Sequence, residues 1–63
     1  MKFIFRDSKN KIHKRTSKKA TSCSYNFEVI DDTEYFVIRD YFTNKIIHKF
    51  SIPGTWSFAG IEN

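Results

Sequence analysis

The chain has no leucine and no glutamine, two alanines and one methionine. These are among the strongest helix formers, so their scarcity excludes a helix-dominated fold. A single cysteine, Cys23, excludes an intramolecular disulfide. Two glycines, Gly54 and Gly60, leave no glycine-rich loop to cradle a nucleotide phosphate. The longest apolar run, Tyr35-Phe36-Val37-Ile38, falls far short of the roughly 18 residues of a spanning helix. Near the start, Phe3-Ile4-Phe5 is too short for a signal sequence before Arg6 and Asp7. A cytoplasmic protein without a membrane partner is therefore expected, in the host cytoplasm if the gene is viral.

What is present favours strands. Eight isoleucines, two valines, five threonines and eleven aromatics populate the β-branched and aromatic class within 63 residues. Phe, Tyr, Met, Ile, Asn and Lys, the residues of AT-rich codons, are abundant, and Gly, Ala, Arg and Pro are scarce. A low-GC gene follows, compatible with a bacterium, a virus or a phage. The length permits one small domain, residues 1–63, burying only about 60% of its unfolded surface.

Period-two alternation marks the strands. Residues 2–6 read as a short strand and Asp7-Ser8-Lys9-Asn10 as a turn. Residues 11–15 return as a polar edge, and Thr16 to Ser22 carries no periodicity. In residues 23–30, Cys23, Tyr25, Phe27 and Val29 alternate with Ser24, Asn26 and Glu28. Asp31-Asp32-Thr33 is a tight turn. Residues 34–42 carry apolar bulk on both faces, which predicts a central strand. Thr43-Asn44 turns the chain into a strand over 45–52. Pro53-Gly54 predicts a type II turn, with glycine accepting a positive φ, before a last short strand over Thr55 to Phe58 that brings Trp56 and Phe58 onto the sheet. The expected fold is all-β: a small antiparallel meander of four to six short strands, curled or forming a partly open barrel. Phe27, Val29, Phe36, Ile38 and Phe50 are its expected core.

Charge is distributed unevenly. Residues 1–22 hold Lys2, Arg6, Lys9, Lys11, Lys14, Arg15, Lys18 and Lys19 against Asp7 alone. The rest holds Arg39, Lys45 and Lys49 against Glu28, Asp31, Asp32, Glu34, Asp40 and Glu62. A basic hairpin and loop over residues 9–22 thus joins a mildly acidic body. Such a segment is suited to phosphate, because each neutralised phosphate releases condensed counterions; as a plain solvated face it would only keep the protein soluble.

Catalytic constellations are not marked. Cys23 with His13 or His48 lacks an orienting third group, and Cys23 falls on the apolar phase of its strand, so a buried, inert thiol is expected. These three residues do not supply the four ligands of structural zinc. Asp31, Asp32 and Glu34 could hold Mg²⁺ but suit a strand-to-strand turn better. No cofactor and no enzyme activity are expected.

The candidate binding residues are Lys9, Lys11, Lys14, Arg15, Lys18 and Lys19 for phosphate, with Tyr35, Tyr41 and Trp56 for base stacking. The first expected function is non-enzymatic binding of DNA or RNA without strong sequence preference. The alternative is a phage- or mobile-element-encoded inhibitor or modulator that binds a host protein, a nucleic-acid machine or defence complex, through a sheet edge or an aromatic face. A homo-oligomer burying the second face of residues 34–42 is a third arrangement.

Overall fold

The computed structural model describes residues 1–18 and 22–62. Among these residues there are six strands: β1 (Lys2–Arg6), β2 (Ile12–Thr16), β3 (Cys23–Ile30), β4 (Thr33–Asp40), β5 (Ile46–Ser51) and β6 (Ser57–Glu62). They form two three-stranded antiparallel sheets, ordered β2-β1-β6 and β3-β4-β5. The sheets lie face to face in a slab 12 Å thick along its thinnest axis, close to the spacing of about 10 Å between stacked sheets. The protein is all-β, and its curling takes the form of two facing layers with open edges, not a closed barrel.

The alternation of each strand decides what enters the layer between the sheets. In β1, Phe3 and Phe5 point inward and are fully buried, while Lys2 and Arg6 point out. Phe36 and Ile38 of β4 meet them from the other sheet, and Ile52 completes the buried cluster. Phe36 lies 5.3 Å from the Phe3 ring and 5.0 Å from the Phe5 ring, which sets β1 over β4. Tyr25 lies 5.5 Å from Phe58, setting β3 over β6. Ser17, buried just beyond β2, shares a 3.1 Å hydrogen bond with His48 Nδ1, setting β2 over β5.

Both central strands are short of exposed surface, but β4 is covered twice. Val37 points away from the inter-sheet layer and is nonetheless fully buried. Its cross-strand partners are Asn26 and Lys49. Next to it Arg39 clasps Glu28, and the Lys49 ammonium lies 4.6 Å over the Tyr35 ring. The apolar bulk on both faces of this strand is thus absorbed within one chain.

Three features depart from the sequence expectations. The first is the core: Phe50 is half-buried, but Phe27 and Val29 are exposed, Val29 by 67%. β3 is an edge strand, and opposite it β6 offers Ala59 and Gly60 at a bulge between the pairs Phe5–Phe58 and Ile4–Gly60. Gly60 adopts φ +151°, which a side chain would resist. The second departure is at Pro53-Gly54, where Gly54 has no positive φ. The Trp56 N–H donates to the Pro53 carbonyl, so proline opens this turn instead of occupying its second position. The third is the end of β4: Asp40 accepts from the Phe42 and Thr43 N–H groups, which stops the strand and puts Tyr41 and Phe42 in the turn.

Phe5→Ala removes a fully buried ring and should cost about 3–5 kcal/mol, as much as a domain of this size has in total. Urea unfolding followed by Trp56 fluorescence should find the variant largely unfolded. Val29→Ala should shift stability by no more than about 0.5 kcal/mol. The reverse ranking would show that the buried phase of β1 and β3 is misplaced.

Candidate binding surface of the β1–β2 hairpin

The hairpin is fixed by one carboxylate. Asp7 Oδ1 accepts from the Lys9 and Lys11 N–H groups at 2.9 and 2.8 Å, and the Asp7 carbonyl accepts from the Asn10 N–H. Asn10 takes φ 69°, a left-handed conformation that asparagine tolerates better than most residues. Its side-chain oxygen accepts from the Arg6 guanidinium at 3.0 Å. Oδ2 of Asp7 accepts from His13 Nε2 at 2.8 Å. An ionised carboxylate can only accept, so the proton of this bond sits on Nε2.

The hydrogen bond from His13 and, next, that from the Lys11 backbone hold the Asp7 carboxyl below its usual range. The same holds elsewhere on the surface. Arg39 lowers Glu28 through hydrogen bonds of 2.8 Å to both oxygens, and Lys14 lowers Glu62. The Thr43 and Phe42 N–H groups lower Asp40.

Register then distributes the β2 side chains. Phe3 pairs with Arg15 and Phe5 with His13, so Arg15 and His13 share the inward face with the phenylalanines. Ile12, Lys14 and Thr16 point outward. The His13 ring stacks on the Trp56 indole, 3.9 Å between centroids and 17° from parallel. The Arg15 guanidinium lies 5.4 Å from the same indole. Arg15 and Trp56 border an open cleft of about 580 Å³ that Asp32, Glu34 and Ser51 also line.

The basic residues therefore do not form one row. Lys9 and Lys11 are exposed in the turn, and Lys18 is exposed beyond β2. Lys14 is exposed on the outer face, with its ammonium 3.1 Å from Glu62; an exposed pair of this kind contributes little. Arg15 is half-buried and turned into the sandwich. Lys19 lies outside the described residues. Arg6 and Lys2, on the outer face of β1, join the exposed cations.

The aromatic candidates are separated as well. Tyr35 lies on the outer face of the second sheet under Lys49. Tyr41 is 70% exposed in the β4–β5 turn, beside the still more exposed Phe42. Trp56 is half-buried at the end of the inter-sheet layer, tilted at 6.3 Å from Phe5. The three rings share no stacking platform.

Cys23 is half-buried at the start of β3 and packs against the phenylalanine cluster. Asp31 and Asp32 occupy the two-residue loop between β3 and β4 with φ of 50° and 63°, a geometry that selects aspartate locally. Among the described residues no three His, Cys, Asp or Glu side chains gather as a metal site.

Asp7 and His13 are the residues that sequence reasoning undervalued. The signal is the turn itself: once Asp7-Ser8-Lys9-Asn10 closes the hairpin, Phe5 must face His13 across it. No protein-family model, curated protein or solved structure matches the chain.

A lowered folded-state pKa gives stability that is complete above the unfolded carboxylate value, about 3.9 for aspartate, and lost as pH falls through the folded value. The thermal midpoint of the native protein should therefore drop steeply below pH 4. Asp7→Asn keeps an acceptor but loses the charge. Its midpoint should lie below the native one at pH 6, fall less on acidification, and converge with it near pH 2. Parallel curves from pH 6 to 2 would show that the Asp7–His13 contact contributes nothing.

Proposed function

We propose that this is a small non-enzymatic binding protein whose β1–β2 hairpin engages nucleic-acid phosphates without reading base sequence. One observation carries the reading: the hairpin, at an edge of its sheet, exposes Lys2, Arg6, Lys9, Lys11 and Lys14, with Lys18 just beyond it. Its one internal carboxylate, Asp7, is consumed by the turn and by His13. The cations sit on a ribbon whose backbone is braced by the Asp7 network, so the strands that carry them need no ligand to be ordered. Phosphate contacts of this kind orient a protein on a nucleic acid and carry no sequence information.

The test is the salt dependence of binding. Engaging four or five phosphates of duplex DNA implies a slope of log K against log[salt] of roughly −3.5 to −4.5. Replacing Lys9, Lys11, Lys14 and Lys18 with serine should weaken binding alike for unrelated sequences and bring the slope towards zero. All four side chains are exposed, so the thermal midpoint should barely move. Binding that survives the quadruple change, or no binding at low salt, would sink the proposal.

A second reading, a modulator of a host protein such as a nucleic-acid machine or defence complex, is favoured by the Tyr41–Phe42 pair. These rings stand edge to face at 5.5 Å, 70% and 80% exposed, where neither contributes to the core. Tyr41→Ser with Phe42→Ser would then abolish function while leaving nucleic-acid affinity and fold unchanged.

A further inference from the structure

We propose that β3 is a self-pairing edge, and that two copies of the chain join β3 to β3 antiparallel to give a continuous six-stranded sheet. The two sheets present four edge strands: β2, β6, β3 and β5. Three carry devices that discourage pairing. β2 has His13, Lys14 and Arg15 within five residues. β5 has His48 and Lys49, and its ladder breaks register opposite Ile38 and Arg39. β6 is bulged at Ala59 and Gly60.

β3 has none of these devices. It is eight residues long, its ladder with β4 is unbroken, and it contains no lysine, arginine or proline. Its one carboxylate, Glu28, is held by both hydrogen bonds from Arg39. The two-residue loop Asp31-Asp32 closes on the pair Ile30–Thr33. In such a hairpin the closing pair is hydrogen-bonded, and bonded pairs alternate along the ladder. The even-numbered residues therefore bond β4, and the peptide groups of Tyr25, Phe27 and Val29 face the open side. The Phe27 N–H agrees: it points away from β4 and is taken up by its own neighbour's side chain, Asn26 Oδ1, at 2.9 Å, a bond that pairing with a second copy exchanges for one across the seam. The side chains of these three residues are also exposed, by 39% to 67%.

The occupant that fits is a second copy. A two-fold pairing about Phe27 sets Tyr25 opposite Val29, apolar against apolar. The same register sets Glu28 opposite Asn26, so like charges never face across the seam. A nucleic acid has no cation to meet on this strand. β2 lies over β5 at the other side of the sandwich, so the pairing leaves both basic hairpins free. The paired ribbon, residues 24–30, is about 23 Å long and belongs to the small end of protein interfaces, so the dimer forms with rising concentration.

Sedimentation from micromolar to millimolar protein is the test, joined to amide hydrogen exchange at both ends of that range. The native chain should rise from the monomer mass of 7.5 kDa towards twice that value. The amides of Tyr25, Phe27 and Val29 should slow with concentration, and those of β5 should not. Val29→Lys should stay monomeric with an unchanged far-UV circular dichroism spectrum; if that variant fails to fold, the exchange data on the native chain decide. A monomer throughout, a dimer that persists in Val29→Lys, or protection appearing on β5 in place of β3 would overturn the proposal.

Discussion

Everything in this protein hangs on the contact of Phe36 with the rings around it. Its centroid lies 5.0–5.9 Å from those of Phe3, Phe5, Tyr25, Phe27 and Phe58. Those residues come from β1, β3 and β6, so one side chain of β4 ties the second sheet to the first. A six-stranded sandwich of this length has a single interior layer to fill, and aliphatic side chains would leave it thin. Phenylalanine offers a large apolar area with no polar atom to satisfy, and its rings pack in tilted and edge-to-face pairs. The absence of leucine is therefore no weakness: rings replace it as the filling of the layer.

The same chain uses one turn design twice to bring its strands back on themselves. Asp7 and Asp40 each open a turn by accepting backbone N–H groups on a carboxylate oxygen, and Asn10 and Asn44 close it with φ of 69° and 62°. A lysine follows each asparagine, and its carbonyl accepts from the N–H of the opening aspartate. Both hairpins therefore depend on an ionised carboxylate. Asp7 differs by reaching further, since its second oxygen holds His13 against Trp56. That link carries the geometry of the turn into the end of the core.

Much of the secondary structure was legible because alternation and turn chemistry are local. β1, β2, β3 and β5 fall close to their expected bounds, and the Asp7 and Asp31-Asp32 turns where their residues place them. The central place of β4 and the edge place of β2 were legible from apolar bulk and charge, but the central place of β1 and the edge place of β3 were not. Both depend on β1 pairing with β6, a contact closed across nearly the whole chain. Without it, Phe3 and Phe5 read as half of a short terminal strand, whereas with it they become the middle of a sheet. The same pairing leaves β3 at an edge and strips Val29 of cover. At the candidate site, the exposure of Lys9, Lys11 and Lys14 follows from their positions on a polar hairpin. The inward turn of Arg15 towards Trp56 does not, because it needs the register of β2 and the path of the chain after Pro53.

The charge asymmetry of the sequence acquires a spatial meaning from this topology. The first sheet takes β1 and β2 from the basic third and only β6 from the acidic remainder. Its outer face accordingly carries Lys2, Arg6 and Lys14, with Glu62 as the opposing charge. On the second sheet Glu28 is held by Arg39 and Asp40 by the turn that follows it, while Asp31, Asp32, Glu34, Lys45 and Lys49 are exposed. Positive charge thus predominates on the outer face of the first sheet, while β3 on the other sheet carries Glu28 as its one charge. Lysine-rich edges repel their own copies and attract polyanions; β3, with no lysine or arginine, does neither. The two open sides of the chain therefore differ in charge, and the phenylalanine layer lies between them.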